Sequence, residues 1–122
     1  MSSGLSIHVV DVSRGVVATG MRVDVYACKP RTLLASGSIS GTGVLDASAL
    51  AAVMKPGFYE AVFHAADFYR DAAAAMPGPP ELPAVPFLDI VTYRFGIARS
   101  DQHYHLPMKI TPWGYSCFRG GA

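Results

Sequence analysis

Short segments in which apolar and polar side chains alternate are the feature that most constrains the fold of this 122-residue chain. They are separated by turn residues and occupy positions 5–11, 21–26, 33–39, 58–64, 87–97, 104–111 and 115–119. Alternation with a period of two places the apolar side chains on one face of a β-strand. About seven or eight short strands predict an all-β, antiparallel two-sheet β-sandwich that forms one domain over residues 1–122.

One short helix is expected within this sandwich. Residues 67–76 begin with an Asp that can cap a helix, continue with strong helix formers and meet Pro77 and Gly78 as a stop. The Ala and Leu content of 46–54 also suits a short helix before a Pro-Gly pair. Residues 77–86 contain too many prolines for a helix or a ladder, so we expect an extended surface connection there.

Composition excludes several classes of protein and partner. Hydrophobic residues make up 51% of the chain and charged residues 16%, which favours a folded core over disorder. A net charge of +1 creates no field that would gather nucleic acid or anionic lipid, so neither is expected as a partner. No secretory signal is evident, and no apolar stretch approaches the roughly 18 residues of a membrane span. Because Cys28 and Cys117 form no disulfide framework, we expect a reduced, cytoplasmic protein.

Histidines are the main candidates for chemistry. His8, His103 and His105 alternate with apolar neighbours, so their side chains are expected on strand faces directed away from the core. Such histidines can be solvated surface residues, or a pair can act as base and acid on one substrate. A zinc site is the rival interpretation, but the His-x-His pair at 103–105 has no evident third ligand. We therefore predict neither a metal nor another cofactor.

Other catalytic signatures are missing. The sequence contains no nucleophile elbow, phosphate-binding loop or dinucleotide-binding fingerprint. Cys28 and Cys117 have no histidine nearby in sequence, and an isolated cysteine is usually a small buried hydrophobic residue.

Motifs along nearly the whole chain resemble those of one family. They are residues 5–11 followed by 20–23, residues 58–63 leading to Phe68-Tyr69, residues 86–91, and a long C-terminal series at 103–107, 112–116 and 118–120. These segments resemble the transthyretin-like proteins, and among them the 5-hydroxyisourate hydrolases of urate degradation. The resemblance implies a homotetramer, a dimer of dimers with active sites where subunits meet. It also implies metal-free hydrolysis of the cyclic amide of 5-hydroxyisourate, with His8 and His105 as the matching catalytic imidazoles.

Two departures from the family pattern concern the substrate. Thr42-Gly43-Val44 stands where the family has Asp-Gly-Arg, and Phe118-Arg119-Gly120-Gly121 replaces Tyr-Arg-Gly-Ser. Valine donates no hydrogen bond, whereas an arginine donates up to five. Loss of a charge-assisted bond to substrate would cost about 1.5–3 kcal/mol. The residues expected to bind substrate are Val44, His103, Phe118, Arg119, Gly120 and Gly121.

Three functions are compatible with these departures. The first is the one that the departures favour, because all three changes run from polar to apolar or smaller: the hydrolase acts on an N-methylated 5-hydroxyisourate, whose methyl groups suit Val44 and the space at Gly121. In the second, it is an ordinary 5-hydroxyisourate hydrolase in which Arg22, Arg99 or Arg119 replaces the missing arginine. In the third, it is a non-catalytic binding protein, as transthyretin is a carrier. The two retained imidazoles argue against the third function.

The hydrolase mechanism assigns a role to each retained group. One of His8 and His105 is expected to take a proton from water while the other donates to the leaving nitrogen. Backbone N–H groups near Gly120 are candidates for oxyanion stabilisation. His103 is expected to support the pair, and Arg119 to orient a substrate carbonyl.

Overall fold

Nine strands and one α-helix make up the part of the chain that the computed structural model describes, residues 4–75 and 83–121. In chain order they are β1 (Gly4–Asp11), β2 (Val16–Val17), β3 (Arg22–Cys28), β4 (Arg31–Ser38), β5 (Val44–Ala47), a 3₁₀ helix (Ser48–Ala52), β6 (Gly57–Phe63), α1 (Ala65–Ala75), β7 (Val91–Ile97), β8 (His103–Thr111) and β9 (Gly114–Cys117). Strands predominate, as the alternating pattern predicted.

The strands form two sheets that face each other. One sheet has the order β2-β1-β8-β9, with β5 pairing beside β1, and the other has the order β4-β3-β6-β7. Within the described residues, β1 and β8 form a parallel pair and every other pair is antiparallel. The predicted two-sheet sandwich is therefore confirmed. The parallel pair joins the first and the last third of the chain, and alternation alone does not predict it.

The core lies between the sheets and follows the alternation. On β1 the side chains of Leu5, Ile7 and Val9 are completely buried, while Ser6 and His8 on the opposite face are only half-buried. On β8 the apolar residues that alternate with the histidines are buried in the same way. They are Tyr104, Leu106, Met108 and Ile110. Both central strands therefore direct their histidine-bearing face away from the core.

Helical segments differ in detail from the prediction. Residues 46–54 contain the end of β5 and the 3₁₀ helix, because 44–47 pair with β1 instead of continuing into an α-helix. Helix α1 begins at Ala65, earlier than the predicted 67, and the N–H of Ala66 donates to the carbonyl of Asp89. Most of the predicted connection at 77–86, and the predicted helix end at 76, lie outside the described residues.

Two predicted strands have different limits. The strand predicted at 87–97 is β7 and begins only at Val91, because 87–90 pair with no strand. The strand predicted at 115–119 is β9, which ends at Cys117.

Candidate functional site

The outer face of the β1/β8 pair carries the predicted catalytic side chains. In the parallel register Ser6 lies opposite His105, His8 opposite Pro107, and Gly4 opposite His103. Residues opposite each other share a face, so the three imidazoles and the Ser6 hydroxyl lie on the same side of the sheet. Strand spacing of about 4.8 Å and a rise of about 3.3 Å per residue place His8 and His105 roughly 8 Å apart at the backbone, diagonally across the pair.

Ser6 connects the two histidines of β8. Its Oγ lies 2.8 Å from Nε2 of His103 and 2.8 Å from Nδ1 of His105. A hydroxyl has one proton to donate and two lone pairs to accept with. Ser6 therefore joins His103 and His105 in one hydrogen-bond network that fixes the orientation of both rings.

His105 is electrostatically suited to act as a base. Burial lowers the pKa of His105 below its ordinary value of 6.5, and the neighbouring His8 and His103 lower it further. A hydrogen bond to the backbone of Ser6 acts in the opposite direction but does not outweigh them. At pH 7 the ring of His105 is consequently neutral and has a lone pair available for a proton.

The opposite edge of the face is formed by β5 and the turn before it. Val44 lies directly opposite His8 in the antiparallel β1/β5 register and is half-buried. Gly43 has a φ of +87°, and a Cβ at this position would come within 2.8 Å of Nε2 of His8 and 2.6 Å of Cγ1 of Val17. The backbone at Gly43 therefore packs against the His8 ring so closely that only glycine fits.

The C-terminal segment lies beside β8. The N–H of Gly120 donates to the carbonyl oxygen of His105 at 2.7 Å, and a Cβ on Gly120 would lie 3.0 Å from Cδ2 of the His105 ring. Among the N–H groups near Gly120 that were predicted to stabilise an oxyanion, that of Gly120 itself is therefore bonded to the His105 carbonyl. Phe118 is 45% exposed, and Gly121 is also exposed.

Comparison with known proteins agrees with this architecture. The model of the HIUase/Transthyretin family matches residues 5–120. The chain belongs to the HIUase/transthyretin family. It is 38% identical to 5-hydroxyisourate hydrolase 2 of Rhizobium meliloti, over 98% of this chain and 97% of that protein.

Solved structures of the family superpose closely on the chain. The 5-hydroxyisourate hydrolase of Klebsiella pneumoniae superposes with a TM-score of 0.77 at 25% identity, covering 99% of this chain and 95% of that chain. Sea bream transthyretin in complex with thyroxine superposes with a TM-score of 0.79 at 19% identity, covering 97% and 95%. The second similarity concerns the fold alone. The curated relatives are hydrolases, so the sequence places the chain on the enzymatic side of the HIUase/transthyretin family.

The three arginines considered as replacements for the family arginine occupy different places. Arg22 lies on β3 of the other sheet, where it donates to Ser36. Arg99 pairs with Asp101 in the turn before β8. Arg119 lies beside β8, with its guanidinium 4.0 Å from the centre of the Tyr104 ring. It also donates to Gln102 and to the carbonyl of His103. Of the three, Arg119 is therefore the arginine whose side chain contacts β8, although its guanidinium lies on the Tyr104 ring, on the opposite face from the histidines.

The described residues contain neither a metal-ligating cluster nor a helix able to span a membrane. Among residues 4–75 and 83–121, no group of three or more His, Cys, Asp or Glu side chains is arranged to hold a metal ion. No helix in these ranges is both long and apolar enough to cross a bilayer. Cys28 and Cys117 are both free thiols, and burial raises the pKa of Cys117 to about 11.

Sequence reasoning missed the roles of two residues. The alternation placed Ser6 on the face of His8, but its contact with His103 and His105 depends on the parallel pairing of strands about a hundred positions apart. Gly43 belonged to a recognised motif, yet its contact with His8 was not predicted. A glycine directly before a strand is the signal that could have indicated it.

Proposed function

We propose that this protein is a hydrolase that opens the cyclic amide of 5-hydroxyisourate by attack of water. The single observation that carries the proposal is the placement of His8 and His105 on one half-buried face, with His105 oriented by Ser6. Two imidazoles in this arrangement can move two protons at one substrate. Relatives that match nearly the full chain are named 5-hydroxyisourate hydrolase, which supports the same reaction.

In the proposed reaction His105 is the general base and His8 the general acid. Nε2 of His105 takes a proton from water as the water oxygen bonds to the ring carbonyl carbon. The C–N bond of the cyclic amide then breaks, and the leaving nitrogen takes a proton from His8. The lowered pKa of His105 supports this assignment, because a base must be unprotonated at the working pH. We further propose that Arg119 orients a substrate carbonyl and that His103 supports His105 through Ser6.

The proposed substrate is the unmethylated ring, because the hydrolases of Rhizobium meliloti and Klebsiella pneumoniae described above are both named for 5-hydroxyisourate itself. An N-methylated 5-hydroxyisourate finds no support in these comparisons. It is kept as a second candidate for one reason, which is that Val44 lies opposite His8 where the family pattern has an arginine. The apolar Phe118 and the small Gly121 belong to the same proposed binding surface. Burial of each substrate methyl group against this surface would stabilise the bound substrate by about 0.8 kcal/mol.

We also propose that the protein assembles as a dimer of dimers that covers this face. The β9 edge of the sheet exposes large apolar side chains, namely Trp113 (65%) in the turn between β8 and β9 and Phe118 (45%) directly after β9. Exposed apolar groups of this size favour association between copies of the chain. Light scattering coupled to size exclusion is expected to give four times the mass of the chain, and a monomer at micromolar concentration would contradict the assembly. A cytoplasmic location remains a prediction from the two free cysteines.

The deciding experiment follows ring opening by ultraviolet absorbance. 5-Hydroxyisourate and its N-methylated forms are generated in situ by oxidation of urate and methylurates, with and without protein. His8→Ala and His105→Ala are each expected to lower kcat/KM by about 10²- to 10⁴-fold. His64→Gln is the matched control, because His64 contacts Asp24 on the other sheet. Full turnover in both alanine variants, with native circular dichroism spectra, would refute the proposed hydrolase function of His8 and His105.

The same assay separates the remaining candidates. Preference for the unmethylated substrate supports the proposed function, whereas faster opening of a methylated ring supports the second candidate. Binding without acceleration of either substrate would identify a carrier. The acid limb of kcat/KM is expected below pH 6.5, since the pKa of His105 is lowered from that value.

A further inference from the structure

The single hydroxyl proton of Ser6 restricts the protonation of two histidines at once. Ser6 Oγ is within 2.8 Å of one nitrogen of His103 and one nitrogen of His105. It can donate a hydrogen bond to one of these nitrogens, and it must then accept a hydrogen bond from the N–H of the other. The two rings therefore cannot choose their tautomers independently while both bonds are made.

Only two arrangements of neutral rings satisfy both bonds. If Ser6 donates to Nε2 of His103, that ring has its proton on Nδ1, and Nδ1–H of His105 must donate to Ser6. If Ser6 instead donates to Nδ1 of His105, then His105 has its proton on Nε2 and His103 donates through Nε2–H. In either arrangement His103 and His105 have the same tautomer. Free imidazoles would show no such correlation.

We propose that Ser6 is a positioning residue that locks His103 and His105 into matched Nδ1–H tautomers, which leaves the lone pair of His105 on Nε2. Among the residues that the structure describes, no hydrogen bond reaches this Nε2. The neighbouring Cδ2 of the same ring lies against Gly120. This inference rests on the proposed function, in which Nε2 of His105 is the atom that accepts the proton of water.

The network also gives the accepted proton a route away from the substrate. After Nε2 of His105 is protonated, its Nδ1 proton can pass to Ser6 Oγ while the Ser6 proton passes to Nε2 of His103. The positive charge then lies on His103, and His105 becomes a neutral Nε2–H tautomer. Every proton is conserved in this step, and Ser6 ends as it began, with one proton.

Charged and titratable groups surround this network on each neighbouring element. His8 lies on β1 itself, and Asp46 on β5 is directly opposite Ser6 in the register. Lys109 is farther along the same face of β8. Arg119 donates to the carbonyl of His103 from the segment after β9. Because each of these groups can influence the titration of the pair, the Ser6 variants are compared with wild type in proteins that keep all of them.

Nitrogen-15 spectra of histidine-labelled protein at about pH 8.5, two units above the ordinary histidine pKa, measure the tautomers directly without substrate. Wild type is expected to show protonated Nδ1 and bare Nε2 for both rings of the pair, with signals assigned through His64→Gln, His8→Gln and His103→Gln. Ser6→Ala is expected to release both rings toward Nε2–H forms. Ser6→Thr retains a hydroxyl and is expected to restore the matched pair.

Kinetics then test the consequence for the base. Ser6→Ala is expected to lower kcat by about tenfold to a hundredfold with little change in KM, because one bond to the charged ring is lost. The acid limb of kcat/KM is expected to move to lower pH, since Ser6 no longer accepts from the protonated His105. Ser6→Thr should recover most of the rate. Ser38→Ala, an exposed strand serine on the other sheet, is the matched control.

The outcomes separate this inference from the function on which it rests. Matched Nε2–H tautomers, opposite tautomers, or spectra that Ser6→Ala leaves unchanged would overturn the role of Ser6, even in an active hydrolase. If Ser6→Ala alters the tautomers but leaves the kinetics unchanged, the tautomer of His105 does not matter for its action as the base, and that part of the inference fails. Inactivity of the wild type with matched Nδ1–H rings would refute the proposed function while confirming the locked pair.

Discussion

Gly43→Ala is expected to damage both stability and turnover, because the new methyl group would occupy the space of the His8 ring. Its Cβ would lie 2.6 Å from Cγ1 of Val17 and 2.8 Å from Nε2 of His8. Real Cβ atoms do not approach other heavy atoms so closely, so one neighbour must move. Val17 is fixed by the short β2 ladder, whereas the nitrogen is the far end of a side chain. The His8 ring is therefore expected to rotate away.

The loss of folding free energy in Gly43→Ala has two separate contributions. A non-glycine residue at a positive φ costs about 1–2 kcal/mol, partly offset by the lower entropy of the unfolded chain. Gly20→Ala measures this contribution alone, because Gly20 has a φ of +93° and nothing lies within 4 Å of its Cβ position. The overlap at Gly43 adds about 1–3 kcal/mol. We therefore expect losses of about 1 kcal/mol for Gly20→Ala and about 2–4 kcal/mol for Gly43→Ala.

Urea unfolding at a fixed protein concentration measures both losses. Turnover of 5-hydroxyisourate is expected to fall about tenfold to a hundredfold in Gly43→Ala, because small displacements of a catalytic group have effects of this size. It should be unchanged in Gly20→Ala. Equal stability of the two variants together with wild-type turnover in Gly43→Ala would show that the backbone at residue 43 does not position His8.

Three further substitutions test other parts of the reasoning. Tyr69→Phe removes the buried hydroxyl that donates to Asp11 at 2.9 Å, and should lower the urea-measured free energy of unfolding by about 1–2 kcal/mol at pH 7. The folded-state pKa of Asp11 is lowered from 3.8, so its stabilising effect is complete above that pH and is lost as pH falls through the lowered pKa. Acid titration of wild type and Tyr69→Phe should therefore converge at low pH. Gly120→Ala places a Cβ 3.0 Å from Cδ2 of His105 and should reduce kcat/KM about tenfold in the ultraviolet assay, with native circular dichroism. Val44→Arg should raise kcat/KM for 5-hydroxyisourate about tenfold to a hundredfold, and no gain would mean that another group already replaces the family arginine.

The core of the fold was predictable because one local rule decides it. On β1, the period-two alternation of Leu5, Ile7 and Val9 with polar residues predicted which side chains are completely buried. The same rule predicted that His8 and His105 face away from the core. β2 and β5 were missed because strands of two and four residues are too short for a periodic signal. The 3₁₀ helix was anticipated only as helical content, since composition does not distinguish it from an α-helix.

The site itself required tertiary information. Ser6 and His105 are 99 positions apart, and only the parallel register of β1 with β8 makes them opposite each other. Likewise, Gly43 stands directly before a strand, but glycine is a common turn residue, and residues 42–44 do not identify His8 as the ring against which its backbone packs. Candidate residue types were therefore accessible from the pattern, whereas their hydrogen bonds and the matched tautomers were not.

Assembly and base strength are linked by the same physical cause. Burial is the largest influence that lowers the pKa of His105, and the face it occupies is only half-covered within one chain. If a second copy covers this face, further desolvation disfavours the imidazolium and lowers the pKa of His105 again. The proposed tetramer would thus do more than enclose the substrate, because closing the face would keep His105 unprotonated at lower pH than a single chain can.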